Sequence, residues 1–398
     1  MFGKRFKIIA KTFYGLEEIL KTEVEKLGAK KIKVLNRAVE FEGDLELLYS
    51  ANLKLRTALS IITPIFEFKA KDDKQLYDNI FDYNWGRIFN LHQTFAVFSV
   101  INTDYFTHSQ YVALKAKDAI ADHFRKKYNE RPDVDRKFAD IKIVLHINQD
   151  KVTVLLDTSG KPLFQRGYKT EMTEAPINEV LAAGIILESD WDRKSTFIDP
   201  MCGSGTFLVE AAMIASNTAP NLYRQRFGFQ NLRNYDEFLW NSIIDKSVKE
   251  INDDIPDILG NDISDEVIEI AQANINNTRF SKSIKLNCAH FTNFEHEKSN
   301  GTLITNPPYD ERLKSADIIE LYQDLGDTFK EKYKNFDCWV FSGNLPALKR
   351  LGLKTSRRIK LFNGAIEGRL NLYRMYEGSK RTKYNEYFGD QREDKDLN

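Results

Sequence analysis

The hydrophobic positions switch repeatedly between two periods along the chain. KRFKIIAKTF (4–13) reads as a strand, whereas Leu16, Ile19, Leu20, Val24 and Leu27 lie on one helical stripe that Gly28 closes. KKIKVLNRAVEFEG (30–43) returns to strand spacing, and Asp44 is an N-cap candidate for the helix LELLYSANLKL. The alternation continues through the strand ALSIITPIFEFKA, the helix DDKQLYDNIFDY, the strand TFAVFSVIN and the long amphipathic helix HSQYVALKAKDAIADHFRKKY. IKIVLHIN and KVTVLLDTS are two strands broken at Gln149-Asp150, a hairpin signal that predicts a mixed or antiparallel sheet. Residues 159–176 carry Gly, Pro and charge without a period and read as a linker. Beyond them the pattern predicts an open, mainly parallel sheet: helix INEVLAAGIIL, strand STFIDP, an Ala-rich helix over 205–217, strand DILGND, helix SDEVIEIAQANINN capped by Ser264, then strands SIKLN, TLITN and FDCWVFSG. ALKRLGLKTSRRIKLFNG and EGRLNLYRMYEG supply a final antiparallel pair. Residues 218–255 interrupt this series as a mostly helical excursion with Arg224, Arg226 and Arg233, and the last twenty residues are polar and expected to fray.

Composition adds little until it is divided. Hydrophobic residues are 42% and charged residues 29% of the 398, as in ordinary globular proteins, and the length calls for two or three domains. No apolar run reaches membrane-spanning length and MFGKRFKIIAKTFYG has no signal-peptide core, so a cytoplasmic protein without a membrane partner is expected. Cys202, Cys288 and Cys338 have neither zinc nor redox spacing; reduced thiols and no metal are expected, Cys288 with His290 and His296 reading as loop residues. The net charge of zero splits into a front part, residues 1–170, with 29 Lys+Arg against 22 Asp+Glu, and a remainder with 29 against 36. A basic front half suits a polyanionic partner.

FIDPMCGSGTFLVEAAMIA (197–215) has the shape strand, glycine turn, helix. Gly203 and Gly205 permit positive φ and close approach of backbone to a ligand, and the helix behind them presents free N–H groups. A dinucleotide fingerprint would need Gly where Leu208 stands, and Asp199 would repel a pyrophosphate. An acid there suits a cationic or amine-bearing ligand. Asp262, ending the next strand, is placed either to cap a helix or to accept hydrogen bonds from ribose hydroxyls. The two acids together describe a pocket for a positively charged adenosine derivative, which S-adenosylmethionine is.

DPMCGSGT, Asp262 after a strand, and NPPY (306–309) after another resemble class I S-adenosylmethionine-dependent methyltransferases in order and context. The resemblance implies a Rossmann-like α/β fold whose seven-stranded sheet ends in an antiparallel hairpin, with S-adenosyl-L-methionine as cofactor. On matching positions it implies cofactor contacts from Asp199, Pro200, Cys202, Gly203, Gly205, Thr206, Asp262, Ile263 and Asn306. It also implies that Asn306, Pro307, Pro308 and Tyr309 receive a planar amine. Such an amine is a poor nucleophile because its lone pair is delocalised into the ring. The Asn306 side-chain oxygen and the Pro307 carbonyl would accept its two hydrogens, and Tyr309 would stack on a base that has left its helix. No strong general base is needed, and positioning carries the rate.

The motif does not choose among adenine, guanine and glutamine. LFQRGYKTEMTEAPINEVLAA resembles the segment that leads into the catalytic domain of THUMP-containing RNA methyltransferases, in which Ala175, Pro176 and Ile177 would lie along the cofactor. The chain resembles the subgroup of bacterial guanine-N2 methyltransferases of 23S ribosomal RNA. Their motif continues Gly-Glu-Arg-Leu; here Asp310 replaces the Gly and Glu311-Arg312-Leu313 is kept. Where an acid usually meets the adenine amine, this chain has His290. The implied organisation is a ferredoxin-like domain (1–55), a THUMP RNA-binding domain (56–158), a linker (159–176), the methyltransferase domain (177–378) and a polar tail (379–398). Some relatives fuse a second methyltransferase domain, which this length does not accommodate, so a single modification is expected. The same architecture acting on tRNA is the alternative substrate reading; a non-catalytic RNA-binding assembly factor is the alternative of a different class. Ribosomal subunit assembly intermediates enter as candidate partners.

Overall fold

A computed structural model describes residues 3–171, 176–308 and 315–376, which fall into two compact units. The expectations for Ala175, Tyr309, Asp310 through Leu313 and the polar tail lie outside the described residues. No helix among the described residues is long and apolar enough to cross a membrane.

The first unit comprises residues 1–170, 178–184 and 216–253. Its strands are β1 (Phe6–Lys11), β2 (Lys30–Leu35), β3 (Ala38–Gly43), β4 (Ser60–Lys69), β5 (Phe95–Asn102), β6 (Ile141–Asn148) and β7 (Lys151–Asp157). They form one sheet in the order β2-β3-β1-β4-β7-β6-β5, in which only β5 and β6 are parallel. β4 pairs with β1 on one side and β7 on the other, so the two segments read as separate α+β units share a single sheet. Helices α1 (Glu17–Lys26), α2 (Leu45–Lys54), α3 (Asp73–Asp82) and α4 (Ser109–Tyr128) complete it. The Asp44 carboxylate accepts from the Leu47 N–H at 3.0 Å and caps α2. Gln149, at φ 52°, turns the β6–β7 hairpin in the left-handed region.

α5 (Glu179–Glu188) and β8 (Thr196–Asp199) begin the Rossmann-like part of the chain, followed by α6 (Thr206–Ala215). The excursion then contributes α7 (Glu237–Lys249) and packs within the first unit: the Phe229 ring stacks on Tyr49 at 4.3 Å and Trp240 meets it edge-on at 6.1 Å. Arg224, in the same excursion, donates to the carbonyls of Ser159, Lys161, Pro162 and Gln165.

The second unit holds β9 (Ile258–Asp262), α8 (Asp265–Asn276), β10 (Ile284–Cys288), β11 (Gly301–Thr305), α9 (Ser315–Lys332), β12 (Phe336–Ser342), α10 (Leu345–Leu348), β13 (Arg357–Asn363) and β14 (Ile366–Arg374). With β8 the strand order is β10-β9-β8-β11-β12-β14-β13, parallel except for β14, which runs antiparallel to β12 and β13. Two details differ from the periodicity reading. Residues 345–351 are helical turns rather than strand, because Asn344 caps them and Pro346 sits in the first turn; β13 starts only at Arg357. α9 was not among the expected elements.

Candidate active site

In an open α/β sheet ligands bind beyond the carboxyl ends of the strands, where neighbouring connections diverge. β8, β9, β10 and β11 end together here, and a cleft of about 420 Å³ opens over them. That volume lies in the ~300–1,000 Å³ range of small-molecule sites.

The glycine turn forms one side. Asp199 ends β8, Gly203 takes φ +53°, and a Cβ there would meet nothing within 4 Å, so bare backbone faces the cleft. Gly205, at φ +79°, does not line the cleft; its Cβ position is 3.5 Å from the Ala271 side chain, so its role is the tight turn and the approach of α8. Leu208 is fully buried and fills the space beside Gly260, whose added Cβ would lie 2.3 Å from it. The turn is also tied from behind. Asn261, fully buried, donates to the Pro200 carbonyl at 3.0 Å and the Ala289 carbonyl at 2.9 Å, joining the ends of three strands. Asn274 of α8, fully buried, donates to the carbonyls of Ser204 and Glu171, both at 3.2 Å.

Two carboxylates face this turn. Asp262 accepts from the Gly203 N–H at 3.0 Å and the Ser264 N–H at 3.2 Å, and lines the cleft. Ser264, not Asp262, caps α8 by accepting from the Val267 N–H, which removes the capping reading of Asp262. Asp199 is almost completely buried and accepts from the Met201 N–H at 3.2 Å. Burial, opposed by that hydrogen bond and helped by the charge of Asp262, pushes its pKa up to about 7. Burial likewise pushes the Cys202 thiol well up, so it stays protonated and is no nucleophile.

Asn306, Pro307 and Pro308 follow β11 and form the opposite side. The Asn306 side-chain oxygen is buried and has no hydrogen-bond partner among the described residues. A buried acceptor left unmade costs about 1–3 kcal/mol, so its natural partner is a donor brought by a ligand.

Thirteen of the sequence-derived positions line this one cleft: Pro176, Ile177, Asp199, Pro200, Cys202, Gly203, Thr206, Asp262, Ile263, His290, Asn306, Pro307 and Pro308. His290 bonds Thr292 through Nδ1 at 2.7 Å and its ring lies 4.5 Å from Phe291. His296 sits instead among Phe294, Tyr333 and Phe336. Met201, Ser204, Phe207, Val267, Phe291, Leu321, Asn363 and Ile366 also line the cleft and were not predicted. Met201, Ser204, Phe207 and Phe291 flank predicted positions in sequence; Val267 lies in the first turn of α8, Leu321, Asn363 and Ile366 come from α9 and the β13–β14 hairpin, and no local pattern marks these four.

The donor set fits S-adenosylmethionine. Asp199 can neutralise a cationic amine, Asp262 has acceptor capacity left for ribose hydroxyls, Gly203 offers bare backbone, and Ile263, 67% exposed on the wall, offers an apolar face to adenine.

Comparison with known proteins agrees. Residues 166–371 match the methyltransferase domain described as RMKL-like, residues 7–62 the RlmL ferredoxin-like domain and residues 70–157 the THUMP domain. The ribosomal RNA large subunit methyltransferase K/L of Psychromonas ingrahamii is 37% identical over 92% of this chain and 49% of its own length. That of Shewanella oneidensis is 35% identical over 92% and 52%. The chain thus spans about half the length of the curated relatives it matches. The structure of SMU.472 complexed with SAH superposes with a TM-score of 0.84 at 30% identity, covering 95% of this chain and all of that one.

Proposed function

This chain belongs to the RMKL-like methyltransferase family, whose cofactor is S-adenosylmethionine, and from that premise we propose that it methylates the exocyclic N2 amine of a guanine in 23S ribosomal RNA. The observation that carries the reading is the unpartnered, buried oxygen of Asn306 in the same cleft as Asp199, Gly203 and Asp262. The matched THUMP domain, the basic front half and the names of the curated relatives support RNA from the large ribosomal subunit as the acceptor.

The chemistry follows from the residues. Bound in the cleft, the cofactor supplies an electrophilic methyl group on a cationic sulfur. Asp199 and Asp262 would hold its amine and ribose ends. Asn306 accepts one hydrogen of the target amine through its side-chain oxygen, and the Pro307 carbonyl accepts the other. Two acceptors draw the nitrogen away from planarity and localise its lone pair. Proline fixes φ at this corner, so the acceptors are held before the base arrives. The methylated nitrogen would release its proton to water, the cofactor leaving as the neutral thioether, so no residue here needs to act as a strong base. Binding of the base satisfies the Asn306 oxygen, so recognition and activation are the same hydrogen bond.

The test is incubation with radiolabelled S-adenosylmethionine and either undermodified 23S ribosomal RNA or bulk tRNA, followed by digestion to nucleosides. N2-methylguanosine from the ribosomal RNA alone is expected. Label confined to tRNA, to another nucleoside or to protein would overturn the assignment of substrate.

A further inference from the structure

Two branched aliphatic side chains stand exposed on the cleft wall: Ile263 at 67% and Ile366 at 49%. Ile263 follows β9, beside the groups assigned to the cofactor. Ile366 lies on the opposite flank. The strand order puts β10, β9 and β8 on one side of β11 and β12, β14 and β13 on the other. The register explains how a hairpin at that flank reaches the cleft. Thr305 pairs with Val340, so Asn306 stands level with Phe341, whose partner in β14 is Leu370. β14 is antiparallel to β12, so its beginning lies at the carboxyl edge of the parallel strands. Ile366 precedes Leu370 by four residues and overhangs the level of Asn306 by roughly 13 Å along the strand, two strand spacings or about 10 Å to the side. Asn363 pairs with Ile366, and Gly364, at φ +64°, closes the turn between them. Leu321 of α9 lines the same cleft.

We propose that Ile366 is the apolar rest for the face of the target base, on the flank of the cleft beyond Asn306, Pro307 and Pro308. The inference rests on the reading of a planar amine as substrate. Asn306 and Pro307 grip only the edge of the ring, and the stacking implied for Tyr309 leaves one ring face unsupported. A ring with one free face can tilt and carry the amine out of line. An aliphatic side chain against that face stops the tilt and loses its own exposed surface to the ring. The contact is indifferent to which base lies against it, so it sets affinity and orientation, while the edge contacts set identity.

The experiment compares wild type, Ile366→Val and Ile366→Ala in KM and kcat for undermodified large-subunit RNA, with the dissociation constant of S-adenosylmethionine measured by calorimetry. Ile366→Ala is expected to raise KM for RNA about tenfold, in keeping with the loss of buried aliphatic surface. Ile366→Val should raise it only about twofold by the same measure. Cofactor affinity and the thermal midpoint should be unchanged in both, since the side chain is half exposed. A KM for the alanine variant within a factor of two of wild type overturns the proposal, as does an equal loss of cofactor affinity. Label in a nucleoside other than N2-methylguanosine overturns the guanine assignment, yet the ratio of variant to wild type on that acceptor still decides the role of Ile366. A wild type that labels no nucleic acid overturns both.

Discussion

At the scale of single residues the proposed function separates binding from chemistry. On that reading Asn306→Ala removes the acceptor for the target amine and touches neither acid. Methyl transfer should fall by on the order of 100–1,000-fold, while the calorimetric affinity for S-adenosylmethionine stays within a small factor; equal loss of both would take Asn306 out of its role. Asp199 predicts a pH dependence. Its pKa is raised to about 7 mainly by burial, so around neutrality the empty site is partly protonated. A cationic ligand binds the ionised form, hence cofactor affinity should rise with pH up to about 7 and then level off. The same shift acts oppositely on folding. Between the ordinary carboxyl value and about 7 the folded protein holds the proton more tightly than the unfolded one, so Asp199 favours the unliganded fold at low pH and that contribution is lost as pH rises through about 7. In Asp199→Asn both dependences should vanish; an unchanged pH profile of binding would show that another group titrates.

At the scale of elements, the glycine turn, Asp262 at the end of β9 and the corner after β11 were legible because each is local: a strand ends, and the residue types at its end are unusual. SADIIELYQDLGDTFKEK carries helical spacing, yet α9 was not among the expected elements. The strand expected from residue 347 onward failed for a physical reason, the Asn344 cap and Pro346 nucleating a turn ahead of Gly352. The linker was read as irregular; its residues 159–171 form neither helix nor strand, but they are held. Arg224 donates to four of its carbonyls, and burial lowers the guanidinium pKa to about 10. Arg224→Met keeps the aliphatic stem and removes the donors. It should cost about 2–4 kcal/mol in urea unfolding, and a loss below about 0.5 kcal/mol would mean that water replaces the donors at no expense.

At the scale of the whole molecule, the excursion is continuous in sequence with the catalytic domain and packs in the first unit, where Phe227, Phe229, Leu232, Trp240 and Ile243 are buried in the core shared with Tyr49. Deleting residues 1–158 alone strips these side chains of their partners, so that fragment should self-associate in sedimentation experiments. The same deletion with 216–253 replaced by a short polar linker should be monomeric, bind S-adenosylmethionine and no longer bind RNA. A monomeric first fragment would refute the packing argument. RNA binding by the second, with the steep salt dependence of phosphate contacts, would refute the placement of RNA recognition in the front part. In the intact chain, RNA affinity should fall steeply between about 50 and 200 mM salt.

The sequence alone determined the alternation of elements, the antiparallel closing hairpin, the two acids, the glycine turn and the asparagine-proline corner, since each depends on neighbours a few residues apart. Only the tertiary structure decided which distant residues join them. Ile366 lies sixty residues from Asn306 and reaches the cleft because β14 runs antiparallel to β12, a fact of register. The single sheet through β4, the knot of Asn261 across three strand ends and the grip of Arg224 on the linker are likewise contacts between segments far apart in the chain. Local patterns carry no record of such contacts, because any side chain of suitable size and polarity could have stood at those positions until the sheet order chose its neighbours.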